Sequence, residues 1–367
     1  MNKVFIPLII VIFISSVYGF YAMQFNNMDS DIVRSVTAYI SPLLVFDTII
    51  FCSEKELIKL KKSINVVLYF LIILGILQIS GLIRILTPVL KFMVPRANSV
   101  SLVEMSGRGV TLLSSEPSRA AYEIIILYAT WIYLNNFPKK LQYIFDIIIV
   151  FFIVFIIRSS EGCLLLLIYL FARYRIKFAI AMTVLFVFLI PVLRNFNNRA
   201  ITVFYTILAN VSFSDVYYIL LNQSGFRLIT LIAAYKYAIF HPLGGGVGLW
   251  KYSSVEALNE TYIDPNLTYY FQGGYIPVRP ISFLSSISLD MGMLGLILAL
   301  YILNPIFKLL KNMKDPIFCF VILFLFSITL SGSIGEPIPW ICMAICYKVY
   351  KERSGAFQIV GFSSRIA

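Results

Sequence analysis

The chain has 367 residues, of which 60% are hydrophobic and only 13% are charged, and its formal net charge at pH 7 is +12. An average soluble domain is about 45–50% apolar and about 25% charged. A soluble fold of this length cannot bury so much apolar surface and still present enough charge for solubility. The composition therefore excludes a soluble enzyme, a disordered chain and a secreted disulfide scaffold, and it predicts an all-α, polytopic integral membrane protein.

Ten apolar stretches, taken in chain order, predict membrane-spanning helices, each of which needs about 20 mostly apolar residues. They are Val4–Met23, Val36–Cys52, Ile64–Ile83, Ala121–Leu134, Leu141–Ile157, Gly162–Ala172, Phe178–Leu193, Leu284–Leu303, Pro316–Ser331 and Pro337–Val349. The sixth and the tenth are short, which favours a broken or tilted helix. The first stretch follows a single Lys3 and precedes no small-residue cleavage site, so we interpret it as an uncleaved anchor.

The basic residues between these spans alternate in number, as expected when Lys and Arg collect in cytoplasmic loops. Seventeen of the 30 basic residues fall on one side, and thirteen of those seventeen are Lys. We therefore expect both termini in the cytoplasm. Two long segments, residues 84–120 and 194–283, are expected on the outer face. The second includes Ala200–Leu208 and Leu228–Phe240, whose patterns predict amphipathic helices at the membrane interface.

The basic residues expected on the outer side are mostly Arg rather than Lys. They are Arg34, Arg84, Lys91, Arg96, Arg108, Arg119, Arg158, Arg194, Arg199, Arg227, Lys236, Lys251 and Arg279. A guanidinium binds phosphate through two parallel hydrogen bonds and stays charged when partly buried, whereas an ammonium group is a hydrated point charge. The excess of Arg predicts an anionic ligand on the outer face. Pairing with acidic residues of that side, or with lipid headgroups, is the alternative.

Four other polar features are candidates for chemistry. Asp47 and Asp146 lie within predicted spans, where an ionisable group is costly, and we interpret both as capped or paired carboxylates. Asp290 is expected at the outer entrance of a span, facing the second long segment. His241 is the single histidine and precedes the glycine-rich run Pro242–Gly248, which predicts a turn that lets the backbone approach a ligand. This run matches neither a P-loop nor a dinucleotide fingerprint.

The sequence offers little support for a metal site or a disulfide. All five cysteines lie in or beside predicted spans, so no disulfide is expected across the long outer segments. Cys342 and Cys346 share a helix face, but no other soft ligand accompanies them, and packing is the default interpretation. No metal site, nucleic-acid-binding module or Ser–His–Asp arrangement is predicted.

Four motifs, in order along the chain, resemble those of the bacterial O-antigen polymerase and O-antigen ligase superfamily. They are Arg108–Ser118, Ile157–Gly162, Ser224–Arg227 with Ile239–Gly248, and Leu289–Leu296. The first is similar to an Arg-x-x-Gly-Leu-x-x-x-Pro-Asn element, with Ser118 in place of Asn. The last is similar to a Glu-x-Gly-x-x-Gly entry into a span, with Asp290 in place of Glu. The ligase branch carries a His-Asn pair before that entry, and its absence here favours a polymerase.

The resemblance implies a metal-independent glycosyltransferase on the periplasmic side of the bacterial inner membrane. It would transfer a growing glycan from undecaprenyl pyrophosphate to the next lipid-linked repeat unit. The implied partners are the lipid-linked donor and acceptor, membrane lipid and a chain-length regulator protein, with no cofactor and no nucleic acid. Fixed Arg side chains suit this chemistry, because they stabilise the charge that grows on a pyrophosphate leaving group.

Individual roles follow from the same resemblance. The expected substrate-binding residues are Arg108, Arg158, Arg227, Arg279, Gly244 and Gly246. The candidates for a catalytic base are His241, Glu116 and Asp290. Tyr269, Tyr270, Phe271 and Tyr275 are expected either to stack on sugar faces or to anchor the chain at the interface.

Two other functions stay open at this point. An O-antigen ligase would move the glycan onto lipid A core or another acceptor. A flippase or other transporter of lipid-linked oligosaccharide belongs to a different class, for which we expect repeat symmetry and short outer loops. The sequence has no internal repeat and two long outer segments, which favours the polymerase.

Overall fold

The computed structural model describes residues 5–26, 31–80, 109–114, 116–135, 137–193, 206, 221, 226–311 and 315–353. Over these residues every regular element is helical and none is a strand, which confirms the all-α prediction. The α-helices are α1 (Ile6–Asn26), α2 (Ile32–Phe51), α3 (Glu54–Ile79), α4 (Pro117–Asn135), α5 (Lys139–Phe151), α6 (Ser160–Leu193), α7 (Phe226–Phe240), α8 (Trp250–Thr261), α9 (Phe283–Leu309), α10 (Pro316–Leu330) and α11 (Ile338–Arg353). A π-helical turn, Phe152–Ile157, extends α5, and two 3₁₀ turns, Pro265–Leu267 and Tyr269–Phe271, follow α8.

Within the described part of the chain, five helices are long and apolar enough to cross a membrane. They are Ile6–Gln24, Ile32–Phe51, Lys55–Ile79, Lys139–Ile157 and Phe283–Leu309. Helix α10 adds a shorter apolar segment, Ile317–Leu330. The chain thus has several long apolar helices, as its composition predicts. The ten-span topology and the side on which each loop and terminus lies stay predictions.

The long outer segments are described only in part. Arg108, most of 84–120 and most of 194–225 lie outside the described residues, and so does the predicted helix Ala200–Leu208 apart from residue 206. The other predicted helix of the second segment, Leu228–Phe240, lies within α7.

The chain divides into two compact units. The first comprises the described parts of Met1–Phe51, Val211–Lys311 and Leu325–Gln358, and the second those of Cys52–Asn210 and Asn312–Phe324. In the first unit α7 packs against α8 and α9, while α2 packs against α11.

Helix α7 shows why the first unit has a compact core. Its buried face consists of Ile229, Thr230, Ala233, Ala234, Tyr237 and Ala238, spaced at one-turn intervals. The alanines on this face allow close approach of the neighbouring helices, and the fully buried side chains of Phe271 and Leu289 fill the space beside them. The 3₁₀ turns after α8 are thereby attached to the core of the unit.

In the second unit, helix α4 is buried over most of its length and packs against α3 and α6. Asp146 of α5 accepts a hydrogen bond from the Tyr128 hydroxyl at 2.6 Å and pairs with Arg173 at 3.5 Å. Tyr174 also donates to this carboxylate. Asp146 is therefore a paired internal carboxylate, which agrees with its interpretation from the sequence.

Candidate functional site

Helix α9 is broken at Gly292, and the break determines the geometry of the site. Gly292 has φ 62° and ψ −151°, a conformation that only glycine adopts readily. A break leaves carbonyl and N–H groups of the helix without intrahelical partners. The glycine-rich turn after α7 provides hydrogen-bond donors for two of these carbonyl groups. The Gly245 N–H donates to the Leu289 carbonyl at 2.9 Å, and the Gly246 N–H donates to the Asp290 carbonyl at 3.0 Å. Two motifs far apart in sequence thus form one structure.

The same turn is also attached to helix α1. The hydroxyl of Ser15 donates to the Asp290 carbonyl at 3.0 Å, and its oxygen accepts from the Val247 N–H at 3.1 Å. Gly19 lies so close to the turn that an added Cβ would stand 2.6 Å from the Val247 carbonyl oxygen. Three segments of the first unit therefore hold the backbone around Asp290 in one arrangement.

Beside this backbone lies a buried polar cluster around Arg279, which we call the Arg279 cluster. Arg279 Nη1 donates to Ser35 Oγ at 3.0 Å, and Arg279 Nη2 donates to Asp290 Oδ2. The hydroxyl of Tyr39 donates to the same carboxylate oxygen at 2.8 Å. The guanidinium carbon lies 6.0 Å from the ring centroids of both Tyr39 and Trp250, within range of cation–π attraction. Arg279 is thus oriented by contacts on several sides.

The two charged side chains of the Arg279 cluster differ in how much of each is exposed to solvent. The Asp290 side chain is 0% exposed, whereas that of Arg279 is 21% exposed. Burial lowers the pKa of the Arg279 guanidinium, but the charges of Asp290 and Tyr39 and the hydrogen bonds to both together raise it by more, so that the pKa lies above its ordinary value. Among the described residues, Arg279 Nε and Asp290 Oδ1 are buried without a hydrogen-bond partner. Asp290 therefore faces Arg279 of the second outer segment and is closed off from solvent, which differs from the expected position within reach of a substrate.

A second cluster surrounds His241 at the C-terminal end of α7. The imidazole Nε2 lies 2.8 Å from Glu260 Oε1, and the Tyr237 ring stacks on the imidazole with a centroid separation of 3.9 Å. The Tyr237 hydroxyl donates to Glu256 Oε2 at 2.8 Å. Burial and this hydrogen bond raise the pKa of Tyr237 above its ordinary value, so the phenol is a donor here. One ligand atom from each of His241, Glu256 and Glu260 lies within 4.8 Å of the others.

The first and second sequence motifs meet in the second unit. Val110 donates to the Ile156 carbonyl at 3.2 Å, and an added Cβ at Gly109 would overlap that carbonyl. Arg158 ends the π-helical turn with φ 54°, and its Nε donates to the Phe155 carbonyl at 3.0 Å. Arg158 therefore contributes to a tight backbone junction in addition to carrying a charge.

The other predicted residues are distributed between the units. Glu116 lies directly before α4 and, like Arg158, belongs to the second unit. Arg227 is partly buried in the first turn of α7, in the first unit. Arg108 lies outside the described residues. Of the predicted site residues, the structure brings Arg279, Asp290, Gly244, Gly246 and His241 together around the broken helix.

The aromatic residues predicted to contact sugar differ in exposure. Tyr269 is 80% exposed and Tyr270 is 41% exposed, so both rings are accessible. Phe271 is 0% exposed and belongs to the core, and Tyr275 packs edge-on against it at 5.5 Å. The expectation that Phe271 contacts a sugar or the interface is therefore wrong, because a short 3₁₀ turn directs alternate rings to the core and to the surface.

Several residues of the two clusters were not predicted from the sequence. Ser35 and Tyr39 are one turn apart on α2, and Glu256 and Glu260 are one turn apart on α8. This spacing places each pair on one helix face and is a signal that a sequence can provide. The partner that each face meets is not encoded locally, and for this reason the clusters were missed.

Together these features define a class: an all-helical protein with long apolar helices and a buried Arg–Asp pair beside a broken helix. Comparison with protein-family models, curated proteins and solved structures gives no match for this chain.

Proposed function

We propose that the chain is a membrane glycosyltransferase that polymerises lipid-linked oligosaccharide repeat units at the outer face of a bacterial inner membrane. In this proposal ten helices span the membrane, both termini are cytoplasmic, and residues 84–120 and 194–283 lie on the periplasmic side. The donor is a glycan on undecaprenyl pyrophosphate, and the acceptor is the next repeat unit on the same kind of carrier. The four ordered motifs and the Arg-rich outer segments support this function.

The observation that carries the proposal is the orientation of Arg279. A guanidinium has five N–H donors, and Ser35 and Asp290 accept from two of its nitrogens. The side chain keeps 21% exposure, which allows contact with a ligand oxygen. A cation whose position is already determined stabilises charge developing on a pyrophosphate without reorganising during the reaction. Arg279 therefore has the properties required for binding the leaving group.

The proposed reaction is a displacement at the anomeric carbon of the donor glycan. The acceptor hydroxyl oxygen bonds to that carbon, and the bond from the carbon to the pyrophosphate oxygen breaks. The bonding electron pair leaves with undecaprenyl pyrophosphate, where Arg279 and Arg227 offset the negative charge. The hydroxyl proton passes to His241 or, once the bond to the pyrophosphate has broken, to water.

Asp290 is given a positioning role rather than that of a base. Its side chain is 0% exposed and accepts from both Arg279 and Tyr39. A carboxylate in this position has no access to an acceptor hydroxyl, but it orients the guanidinium and offsets the cost of burying that charge. The turn through Gly244 and Gly246 keeps the backbone of Asp290 in place.

The first test of this function uses the outer Arg residues. Arg227→Ala and Arg108→Lys are each expected to abolish long glycan chains. The first variant loses a cation that contacts the pyrophosphate, and the second loses the two parallel hydrogen bonds that a guanidinium makes with phosphate. The measurement is the length distribution of surface glycan on a gel, in a deletion strain complemented with each variant. Arg34→Ala, which removes an exposed Arg of α2, is the control and is expected to give full-length chains. Full-length chains from both test variants would refute the Arg mechanism.

The same deletion strain separates the polymerase from its alternatives. Loss of a polymerase leaves single repeat units on the final acceptor, whereas loss of a ligase leaves none. A separate assay distinguishes the polymerase from a transporter. In it, purified protein is mixed with lipid-linked repeat units and no other enzyme, and a transporter would leave the oligosaccharide at its original length. Lengthening of the oligosaccharide in that mixture supports the polymerase and excludes the transporter.

The proposed topology has its own test by cysteine labelling. Tyr269 is 80% exposed in the second outer segment, and Lys59 is exposed near the start of α3. In a chain whose five native cysteines are replaced by Ala, Tyr269→Cys is expected to react with an impermeant maleimide on intact spheroplasts. Lys59→Cys is expected to react only after the membrane is permeabilised. The opposite pattern would invert the topology and place the Arg-rich segments in the cytoplasm.

A further inference from the structure

We propose that His241, Glu256 and Glu260 form a binding site for one divalent ion of the Zn²⁺ or Mn²⁺ type, which the sequence does not predict. The site lies on the first unit, between the C-terminal end of α7 and one face of α8. It requires neither Arg279 nor any glycan substrate, so it stands independently of the proposed function.

The ligand atoms are already close to the required spacing. One atom from each of the three side chains lies within 4.8 Å of the others. His241 Nε2 and Glu260 Oε1 are 2.8 Å apart, whereas two tetrahedral ligands that each lie about 2.0–2.2 Å from a shared ion are about 3.3–3.6 Å apart, so the two side chains would separate by less than about 1 Å. Glu256 and Glu260 project from one face of α8, because they are one helical turn apart. Ion binding would require the exposed Glu256 side chain to rotate towards the other two ligands.

An independent observation is the second carboxylate oxygen of Glu260. Its Oε2 atom is buried and has no hydrogen-bond partner among the described residues. The nearby Lys236 donates to the backbone carbonyl of Glu260 at 2.7 Å and not to its carboxylate. A buried acceptor without a donor is an unsatisfied position, and an ion is one of the few groups that can satisfy it. Over the described residues, neither carboxylate of the cluster forms an ion pair with a lysine or an arginine side chain.

Tyr237 holds two of the proposed ligands in place. Its ring stacks on the imidazole of His241, with 18° between the ring planes. Its hydroxyl donates to Glu256 Oε2 at 2.8 Å and leaves Oε1 of that carboxylate for the ion. Groups that orient metal ligands in this way raise the affinity of metal sites in general. The side chains of His241 and Glu260 keep 33% and 31% exposure, so an ion can enter from solution.

The donor set indicates which ions the site accepts. One imidazole nitrogen with two carboxylate oxygens suits Zn²⁺, which takes these ligands at short distances, and Mn²⁺, which tolerates more oxygen. Ca²⁺ and Mg²⁺ prefer ligand sets made of oxygen alone. An ion on Nε2 also occupies the nitrogen that now contacts Glu260. His241 is then a metal ligand, and acceptance of the hydroxyl proton is left to water.

The test measures binding of the ion itself to the full chain, purified in detergent and stripped of metal with a chelator. Calorimetric titration with ZnCl₂ and with MnCl₂ is expected to show one saturable site, with weaker binding of MgCl₂. Glu256→Gln keeps the size of an exposed side chain and is expected to weaken binding about 10–100-fold, as does Glu260→Gln. Asp264→Asn removes a neighbouring carboxylate outside the cluster and is expected to leave the affinity unchanged.

Three results would overturn the site. The first is absence of saturable binding by the unaltered chain. The second is equal affinity in Glu256→Gln and Glu260→Gln, measured on samples whose circular dichroism matches that of the unaltered chain. The third is Zn²⁺ binding that disappears when the five cysteines are replaced by Ala, which would assign the ion to thiolates. None of these measurements depends on glycan synthesis, so failure of the metal site and failure of the polymerase are distinguishable.

Discussion

Replacing Arg279 by Ala is expected to lower the free energy of unfolding by about 3–5 kcal/mol, as when one partner of a buried ion pair is removed, and to abolish glycan polymerisation. The stability loss arises because Asp290, which is 0% exposed, would keep a buried carboxylate without its cation. Tyr39 would still donate one hydrogen bond to this carboxylate, but a single phenol does not replace a guanidinium. Thermal unfolding of the purified protein in detergent, followed by circular dichroism, measures the first effect, and the gel of surface glycan measures the second.

A double variant separates the structural role of Arg279 from its functional role. Arg279→Met combined with Asp290→Leu removes both charges and fills the space with apolar side chains. Replacing a whole buried ion pair in this way is often neutral or stabilising. We therefore expect stability near that of the unaltered chain but no long glycan, because the cation that offsets the pyrophosphate charge is gone.

Two outcomes would contradict this account of Arg279. If the double variant makes full-length glycan, Arg279 is a structural residue and the pyrophosphate role is wrong. If Arg279→Ala is as stable as the control Arg34→Ala, the buried pair does not stabilise the first unit. Arg279→Lys separates the effect of the positive charge from the effect of the guanidinium geometry. It keeps the charge but cannot reproduce the planar contacts to Ser35 and Asp290.

Gly292→Ala is expected to destabilise the protein by about 4 kcal/mol, the combined effect of backbone strain and of overpacking, each about 1–3 kcal/mol. The φ of 62° and ψ of −151° at this residue are unfavourable for any side chain. An added Cβ would also overlap the carbonyl oxygens of His241 and Pro242, which are backbone atoms and cannot rotate away. The glycine-rich turn would have to move off α9, and Asp290 would move with it.

Gly273→Ala is the matched control for Gly292→Ala. Gly273 also has a positive φ, 90°, but nothing lies within 4 Å of an added Cβ there. Its substitution is expected to cost about 1–2 kcal/mol from backbone strain alone. The difference in thermal unfolding between the two variants measures the contact between the turn and the broken helix. Equal stabilities would show that the turn does not pack against α9 as described.

The helices were predictable because their signals are local. Long apolar runs predicted the elements that became α1, α2, α3, α5 and α9, and each of these contains a segment long and apolar enough to cross a membrane. The amphipathic pattern of Leu228–Phe240 likewise predicted α7. Such patterns depend on neighbouring side chains and on the length that a bilayer requires, and both can be counted along the chain.

The candidate site was predictable only as a set of residues. Arg279 and Asp290 were each singled out, but Asp290 was expected within reach of a substrate and is instead buried against Arg279. Its burial depends on Ser35 and Tyr39 of α2, which are distant in sequence and carry no local signal of the pairing. Ion pairs of this kind form when packing brings charged groups out of water, and sequence spacing does not specify which groups meet.

The amino-acid sequence alone was sufficient to establish an all-helical, apolar chain with Arg concentrated in two long segments, because composition and periodicity do not depend on folding. The break of α9 at Gly292 depends on the fold, since the sequence predicted a single span, Leu284–Leu303, that runs through this position. The broken helix persists because the turn after His241 satisfies its free carbonyl groups. Long-range hydrogen bonds and packing therefore bring the glycine-rich turn and the Asp290 motif together in one site. The same contacts orient Asp290 towards Arg279.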